Sequence, residues 1–236
     1  MKAFYGIMNI LLGHLAWVHC SNHVDCPEMI DGMRPQDVDF RSENYNNILH
    51  WIPGCQWEED TTYFVQYKIY GDKRWTNKVE CWGIKNTFCD LSQETTQSSE
   101  WYYARVRAAI SRRKSGWAVS PRFIPAFTTV VTAPKIKLES TKSSLLIRVR
   151  PPHSPLRRRN GTWISMQKLR NLKHRVYISD NKLPDESEKK VYEGCARIIR
   201  VAKLTSKTIY CVLVETIDVT SGWTSPRSDK QCIRTL

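Results

Sequence analysis

Six histidines and eight cysteines are the residues of this chain best suited to metal or nucleophile chemistry, and their spacing limits what they can do. His19-Cys20 and His23-x-x-Cys26 have the short separation of metal ligands, but half of that set falls in an apolar leader. No metal site and no cofactor are therefore expected. His50 stands beside Trp51 in a strand-like run, where a solvent-facing or hydrogen-bonded imidazole is the ordinary role. Glu58-Glu59-Asp60 reads as a solvated turn. The chain lacks a Gly-x-Ser-x-Gly elbow and a His-Glu-x-x-His helix, and its 10 glycines form no phosphate cradle, so an enzyme is not expected. Recognition chemistry is better represented. Tyr70-Gly71-Asp72 ends a strand at a turn, with Gly71 free to take unusual backbone angles. Binding hot spots favour tyrosine, tryptophan and arginine in such settings, although a turn with a half-buried tyrosine has the same spacing.

The elements that would position these residues are strands. Hydrophobic content of 41% with 9 Trp and 10 Tyr excludes a disordered chain, and 236 residues suffice for two domains of ordinary size. Lys2 followed by an apolar run from Ile7 to Val18 outlines a signal peptide over residues 1–21, cut between Cys20 and Cys26. No later run approaches the roughly 20 apolar residues of a membrane span, so a soluble, secreted, extracellular monomer is expected. Tyr102, Ala104, Val106 and Ala108 alternate with Tyr103, Arg105 and Arg107, and Tyr210, Val212 and Val214 alternate with Cys211, Leu213 and Glu215. Tyr102 and Tyr210 are 108 positions apart; Trp117 and Trp223, each in Ser-Gly-Trp ahead of Ser-Pro-Arg, are 106 apart. A duplicated unit of about 100 residues is the size of an immunoglobulin-like sandwich.

The first unit, 34–124, should hold strands at Val38–Ser42, Ile48–Ile52, Tyr63–Ile69, Trp75–Val79, Phe88–Leu91, the Tyr102 strand and Trp117–Phe123. The second, 134–236, should hold Ile136–Leu138, Leu145–Val149, Arg175–Ile178, Lys190–Tyr192, Arg197–Val201, Ile209–Glu215 and a last strand near Cys232. Pro125 and Pro134 bracket a linker, 125–133, in which sheet pairing should lapse. Ser154 to Lys168 reads as a basic loop, with a short helix between Ile164 and Leu172. Asn160-Gly161-Thr162 is an N-glycosylation sequon in that loop. Trp51 and Tyr67 fall on apolar faces and should pack the first core. The net charge of +13 is spread along the chain apart from Arg112-Arg113-Lys114 and Arg157-Arg158-Arg159. Without a basic and aromatic stacking platform, nucleic acid is not expected, and sulfated glycans are a secondary partner.

Several segments together resemble class II cytokine receptors: Asn47-Ile48-Leu49-His50-Trp51, Tyr63 through Gly71, Cys81-Trp82-Gly83, Cys89-Asp90-Leu91, Tyr103 through Ala108 and Pro121-Arg122-Phe123. Val191-Tyr192-Glu193-Gly194 and Tyr210-Cys211-Val212 continue the likeness to Cys232, so it runs from about Pro35 to the end. The resemblance implies an all-β fold of two tandem fibronectin type III-like domains, with disulfides Cys81–Cys89 and Cys211–Cys232. It implies a helical cytokine of the interleukin-10 family, interleukin-22 first, held in the interdomain elbow and kept by a decoy from its signalling receptor. The implied contacts are Tyr70 and Gly71 foremost, Trp101 and Tyr103 on the next loop, and Arg122 with Phe127 at the corner. Leu156–Trp163 and Val219–Trp223, with Val219, Thr220 and Trp223, complete the implied surface. The alternatives are a soluble form of a signalling chain for another cytokine of that family and a glycan-binding matrix module. Cys26, Cys55 and Cys195 depart from the family pattern, leaving room for one extra bridge and a free thiol.

Overall fold

A computed structural model describes residues 32–180 and 188–236. The expected signal peptide, its cleavage region and His19, Cys20, His23 and Cys26 lie outside the described residues. The first half is built from β1 (Gln36–Glu43), β2 (Asn46–Ile52), β3 (Thr62–Ile69), β4 (Thr76–Ile84), β5 (Phe88–Asp90), β6 (Tyr102–Ile110), β7 (Arg113–Lys114) and β8 (Ala118–Val119). One antiparallel sheet has the order β1-β2-β5; the other has β4-β3-β6, with β7 and β8 both pairing with β6. On β6 the apolar face, from Tyr102 to Ala108, is buried while Tyr103, Arg105 and Arg107 are half-buried on the other side. The core between the sheets contains Phe40 stacked on Phe123 at 4.1 Å and Trp51 edge-on to Tyr63 at 5.3 Å. Tyr67, expected inside, is only half-buried and packs on the margin of this cluster.

After a helical turn, α1 (Pro125–Thr128), the second half runs through β9 (Lys135–Ser140), β10 (Ser144–Arg150), β11 (His153–Arg157), β12 (Trp163–Ser165), α2 (Met166–Leu169) and β13 (Leu172–Asp180). It ends with β14 (Lys189–Gly194), β15 (Ile198–Ala202), β16 (Ile209–Asp218) and β17 (Gln231–Arg234). Here β15-β10-β9 faces β14-β13-β16-β17, and a core of Ile147, Val176, Val212 and Val214 among others lies between. The fold is two fibronectin type III-like sandwiches. The expected loop from Ser154 to Lys168 holds a β11–β12 hairpin instead, while α2 falls within the short helix expected between Ile164 and Leu172. Arg157 stacks on Trp163 at 3.7 Å across that hairpin, and Asn160 closes its turn by accepting from the Thr162 amide at 3.2 Å.

The expected strand Trp117–Phe123 shrinks to Ala118–Val119 and one bridge between Tyr102 and Phe123, because Pro121 cannot donate to a ladder. Serines supply the missing rungs. The Ser120 amide donates to the Ala104 carbonyl at 2.9 Å, and its hydroxyl accepts from the Ala104 amide at 3.1 Å. Ser115 does the same with Ala108, Ser225 with Thr216 and Ser228 with Val214.

The linker is not a lapse in pairing. Asn44 and Tyr45 take left-handed angles, φ 53 and 67, which turn the Asn44 side chain toward the connecting segment. Asn44 exchanges side-chain bonds with Thr132 at 2.7 and 3.0 Å, and its amide donates to the Val130 carbonyl at 2.9 Å. An amide side chain thus stands in for a strand partner. Cys81–Cys89 and Cys211–Cys232 are disulfides, Cys55 is also disulfide-bonded, and Cys195 is free and exposed, so Cys55 and Cys195 are not joined.

Candidate functional site

The end of β3 and the start of β6 are tied by the Tyr70 amide, which donates to the Trp101 carbonyl at 2.7 Å. That bond sets Tyr70 beside Trp101 and brings its ring 6.3 Å from Tyr103. Phe123 and Tyr102 exchange backbone bonds at 2.7 and 2.9 Å, which fixes the neighbouring Arg122 over the same surface. Its guanidinium lies 5.0 Å from the Trp101 ring and 5.9 Å from the Tyr70 ring. Cation–π attraction at exposed sites is worth about 0.5–1 kcal/mol, enough to bias both aromatic rotamers. Gly71 follows at φ +93, with open space where a Cβ would stand, so conformation rather than crowding calls for glycine. Tyr70 remains 59% exposed and Trp101 40%. Four residues singled out in the sequence therefore form one rigid, solvent-facing cluster. Phe127, on α1, is also exposed but touches none of them through a ring contact among the described residues.

In the second sandwich, Val219, Thr220 and Trp223 sit on the turn that leaves β16. The Asp218 amide donates to the Trp223 carbonyl at 2.9 Å, and the Gly222 amide, at φ +76, donates to the Asp218 carbonyl at 2.8 Å. The Asp218 carboxylate also accepts from the Thr220 amide at 3.0 Å. Trp223 is 59% exposed, whereas Trp117, its counterpart in the sequence repeat, lies between Arg105 and Arg107 at 4.4 and 4.6 Å. The two Ser-Gly-Trp segments thus do different jobs.

What connects the two sandwiches is Arg170, which the sequence did not single out. Its Nε donates to Asp218 Oδ2 at 2.7 Å, Nη2 also meets that oxygen, and Nη1 donates to Tyr45 Oη at 3.1 Å and to the Ala126 carbonyl. Arg170 and Asp218 are buried, their side chains 4% and 2% exposed. Tyr45, Val131, Met166 and Leu172 form a small apolar core around the pair. Phe127 and Val219 each follow directly on a partner of this guanidinium. Positions 45, 126, 170 and 218 share no spacing that a reading of the chain could pick up. Nearby, His174 is fully buried, with Nδ1 3.0 Å from Thr216 Oγ1; burial and the charge of Arg197 push it down to about 4.

A tandem sandwich with a packed elbow and exposed aromatic loops is a binding protein of the fibronectin type III class. A family model described as tissue factor matches residues 8–117, and one for the fibronectin type III region of the interferon-alpha/beta receptor matches residues 129–236. Interleukin-22 receptor subunit alpha-2 from Rattus norvegicus is 40% identical, with 86% of this chain and 88% of that protein covered. The Homo sapiens protein of the same name is 34% identical, with 86% and 89% covered. Interleukin-20 receptor subunit alpha from Homo sapiens is 35% identical, with 86% of this chain and 36% of that protein covered. In fold, the chain is similar to a crystal structure of the chicken interferon gamma receptor alpha chain, with TM-score 0.67, 20% identity, and coverage of 86% of this chain and 98% of that one. The chain belongs to the class II cytokine receptor family. Among the described residues no helix is long and apolar enough to cross a membrane.

Proposed function

We propose that this chain is a secreted receptor that captures interleukin-22 at its interdomain elbow and acts as a decoy for the signalling receptor. Tyr70, with Gly71, Trp101, Tyr103 and Arg122, forms the main contact; Phe127, Val219, Thr220 and Trp223 extend it across the elbow. The observation that carries this reading is the preorganised Tyr70 cluster, in a chain whose matches to interleukin-22 receptor subunit alpha-2 span nearly the whole of those relatives. Rigid aromatic anchors lose little entropy on binding, which favours recognition of a helical ligand face. In this reading residues 34–124 and 134–236 are the two domains, 125–133 is the pinned linker, and Asn160 is a glycan acceptor on an exposed turn.

Titrating the purified chain with interleukin-22, and measuring cytokine signalling in its presence, tests the proposal. Saturable binding together with a loss of signalling is expected; a folded chain that leaves interleukin-22 unbound would overturn it. The likeness to interleukin-20 receptor subunit alpha favours a second reading, another cytokine of the interleukin-10 family. A panel of those cytokines separates the two.

A further inference from the structure

Basic residues that look scattered along the chain are gathered by the second sandwich. Arg158 on the β11–β12 turn, Lys168 on α2 and Arg197 just ahead of β15 line one open groove of about 710 Å³, together with Thr162, Trp163 and Gln167. All three cations are exposed, and none is within ion-pair distance of a carboxylate among the described residues. Elsewhere on this sandwich Arg148, Arg175 and Arg227 are each matched to glutamates, whereas the three cations of the groove face one another's charge across a shared opening. That charge reaches inward, since Arg197 helps to hold the buried His174 neutral.

The lining is fixed by its own bonds. The Arg158 amide donates to the Thr162 carbonyl at 2.9 Å, Gln167 Nε2 donates to the Cys195 carbonyl at 2.9 Å, and the Val149 amide donates to the Arg197 carbonyl at 2.7 Å. Ser165 also lines the groove, with its hydroxyl oxygen buried. Three exposed, unmatched cations around one groove suit an anionic ligand with several acceptor oxygens. Single-stranded nucleic acid would need successive aromatic platforms, and Trp163 is the one aromatic in the lining.

We propose that this groove binds a sulfated polysaccharide, with Arg158, Lys168 and Arg197 taking sulfate groups. The groove lies apart from the Tyr70 cluster but shares Arg158, Thr162 and Trp163 with the Leu156–Trp163 segment that the family resemblance implies for the cytokine, and heparin as the probe keeps failure of this site distinguishable from failure of the cytokine reading. The test measures binding of the full chain to immobilised heparin, comparing the Arg158→Gln, Lys168→Gln, Arg197→Gln triple variant with an Arg112→Gln, Arg113→Gln, Lys114→Gln control of equal charge. Exposed charge pairs are each worth up to about fivefold in affinity, so the groove variant should bind roughly tenfold more weakly while the control stays near the parent. Lys168→Arg, which keeps the charge, should bind as the parent does. Equal losses in both triple variants would mean net charge alone and overturn the site, as would no loss in either. Equal or tighter capture of a single-stranded oligodeoxynucleotide, lost with the same three residues, would overturn the choice of a sulfated ligand.

Discussion

At the scale of single residues, Tyr70 and His174 show two uses of a ring. Tyr70 is open to solvent yet flanked by Tyr103 and by Arg122, so it stands ready rather than free. Truncating a preorganised interface tyrosine typically costs about 2 kcal/mol, roughly thirtyfold in affinity. Tyr70→Ala is therefore expected to weaken interleukin-22 capture by that factor in a surface-binding assay, with the melting transition unchanged because the side chain packs on no core. Equal affinity would remove Tyr70 from the contact. His174 is the opposite case, a ring with no solvent and one hydroxyl neighbour. Its folded pKa, about 4, lies below the free value of 6.5. Above pH 6.5 neither folded nor unfolded chain protonates it, so its contribution is complete. As pH falls from 6.5 toward 4 the unfolded chain takes up a proton that the folded one refuses, and stability drops, by up to about 3 kcal/mol. Denaturant midpoints measured across that window should show the fall, and His174→Gln should flatten it. An unchanged slope in the variant would place the titration elsewhere.

Among elements, the strand-ending serines explain both the strength and the limit of the sequence pattern. The alternation of β6 and β16 is visible in the chain because one face of each is buried, and burial selects residue type at every second position. The Ser-Gly-Trp and Ser-Pro-Arg markers repeat as well, but not at equivalent rungs. With Tyr102 matched to Tyr210, Ser120 faces Ala104 while Ser225 faces Thr216, four residues further along its strand. Spacing along the chain cannot reveal this, because the turn after β16 is tight while the β6–β7 hairpin intervenes in the first sandwich. Of the Tyr70 cluster, Tyr70 and Gly71 were legible at a turn signal, whereas Trp101, Tyr103 and Arg122 were reached only through the family resemblance. Arg170, Asp218 and Tyr45 are ordinary polar residues far apart in sequence, and only packing gives them a role. Serine as a rung predicts a measurable cost. Ser225→Ala leaves the buried Thr216 amide without an acceptor, which costs about 1–3 kcal/mol. Thermal unfolding should detect that loss, and Ser225→Thr, which keeps the hydroxyl, should recover part of it. If the alanine variant unfolds with the parent, the hydroxyl is not the rung it looks like.

For the whole molecule, the question is what keeps two sandwiches at one angle, since a surface shared between them is only as good as that angle. The linker is anchored to the first sandwich through Asn44, Val130 and Thr132, and the second sandwich meets that unit where Arg170 reaches Tyr45 and the Ala126 carbonyl. The same guanidinium neutralises Asp218, whose other oxygen caps the turn carrying Val219 and Thr220. One buried pair thereby links the interdomain contact to the second-domain loop, beside the apolar cluster of Tyr45, Val131, Met166 and Leu172. Breaking such a pair from one side strands a charge and costs about 3–5 kcal/mol, whereas replacing both partners by apolar residues of similar volume is often neutral. Arg170→Ala should lower the melting temperature and speed amide hydrogen exchange at Val219–Trp223. Arg170→Met with Asp218→Leu should regain much of the stability, but not slow exchange on that turn, because the carboxylate that caps Thr220 is gone. Interleukin-22 affinity should follow the turn and stay weak in the double variant. If affinity instead returns with stability, the elbow pair matters only for folding, and the second-domain half of the surface does not depend on the turn that Asp218 holds.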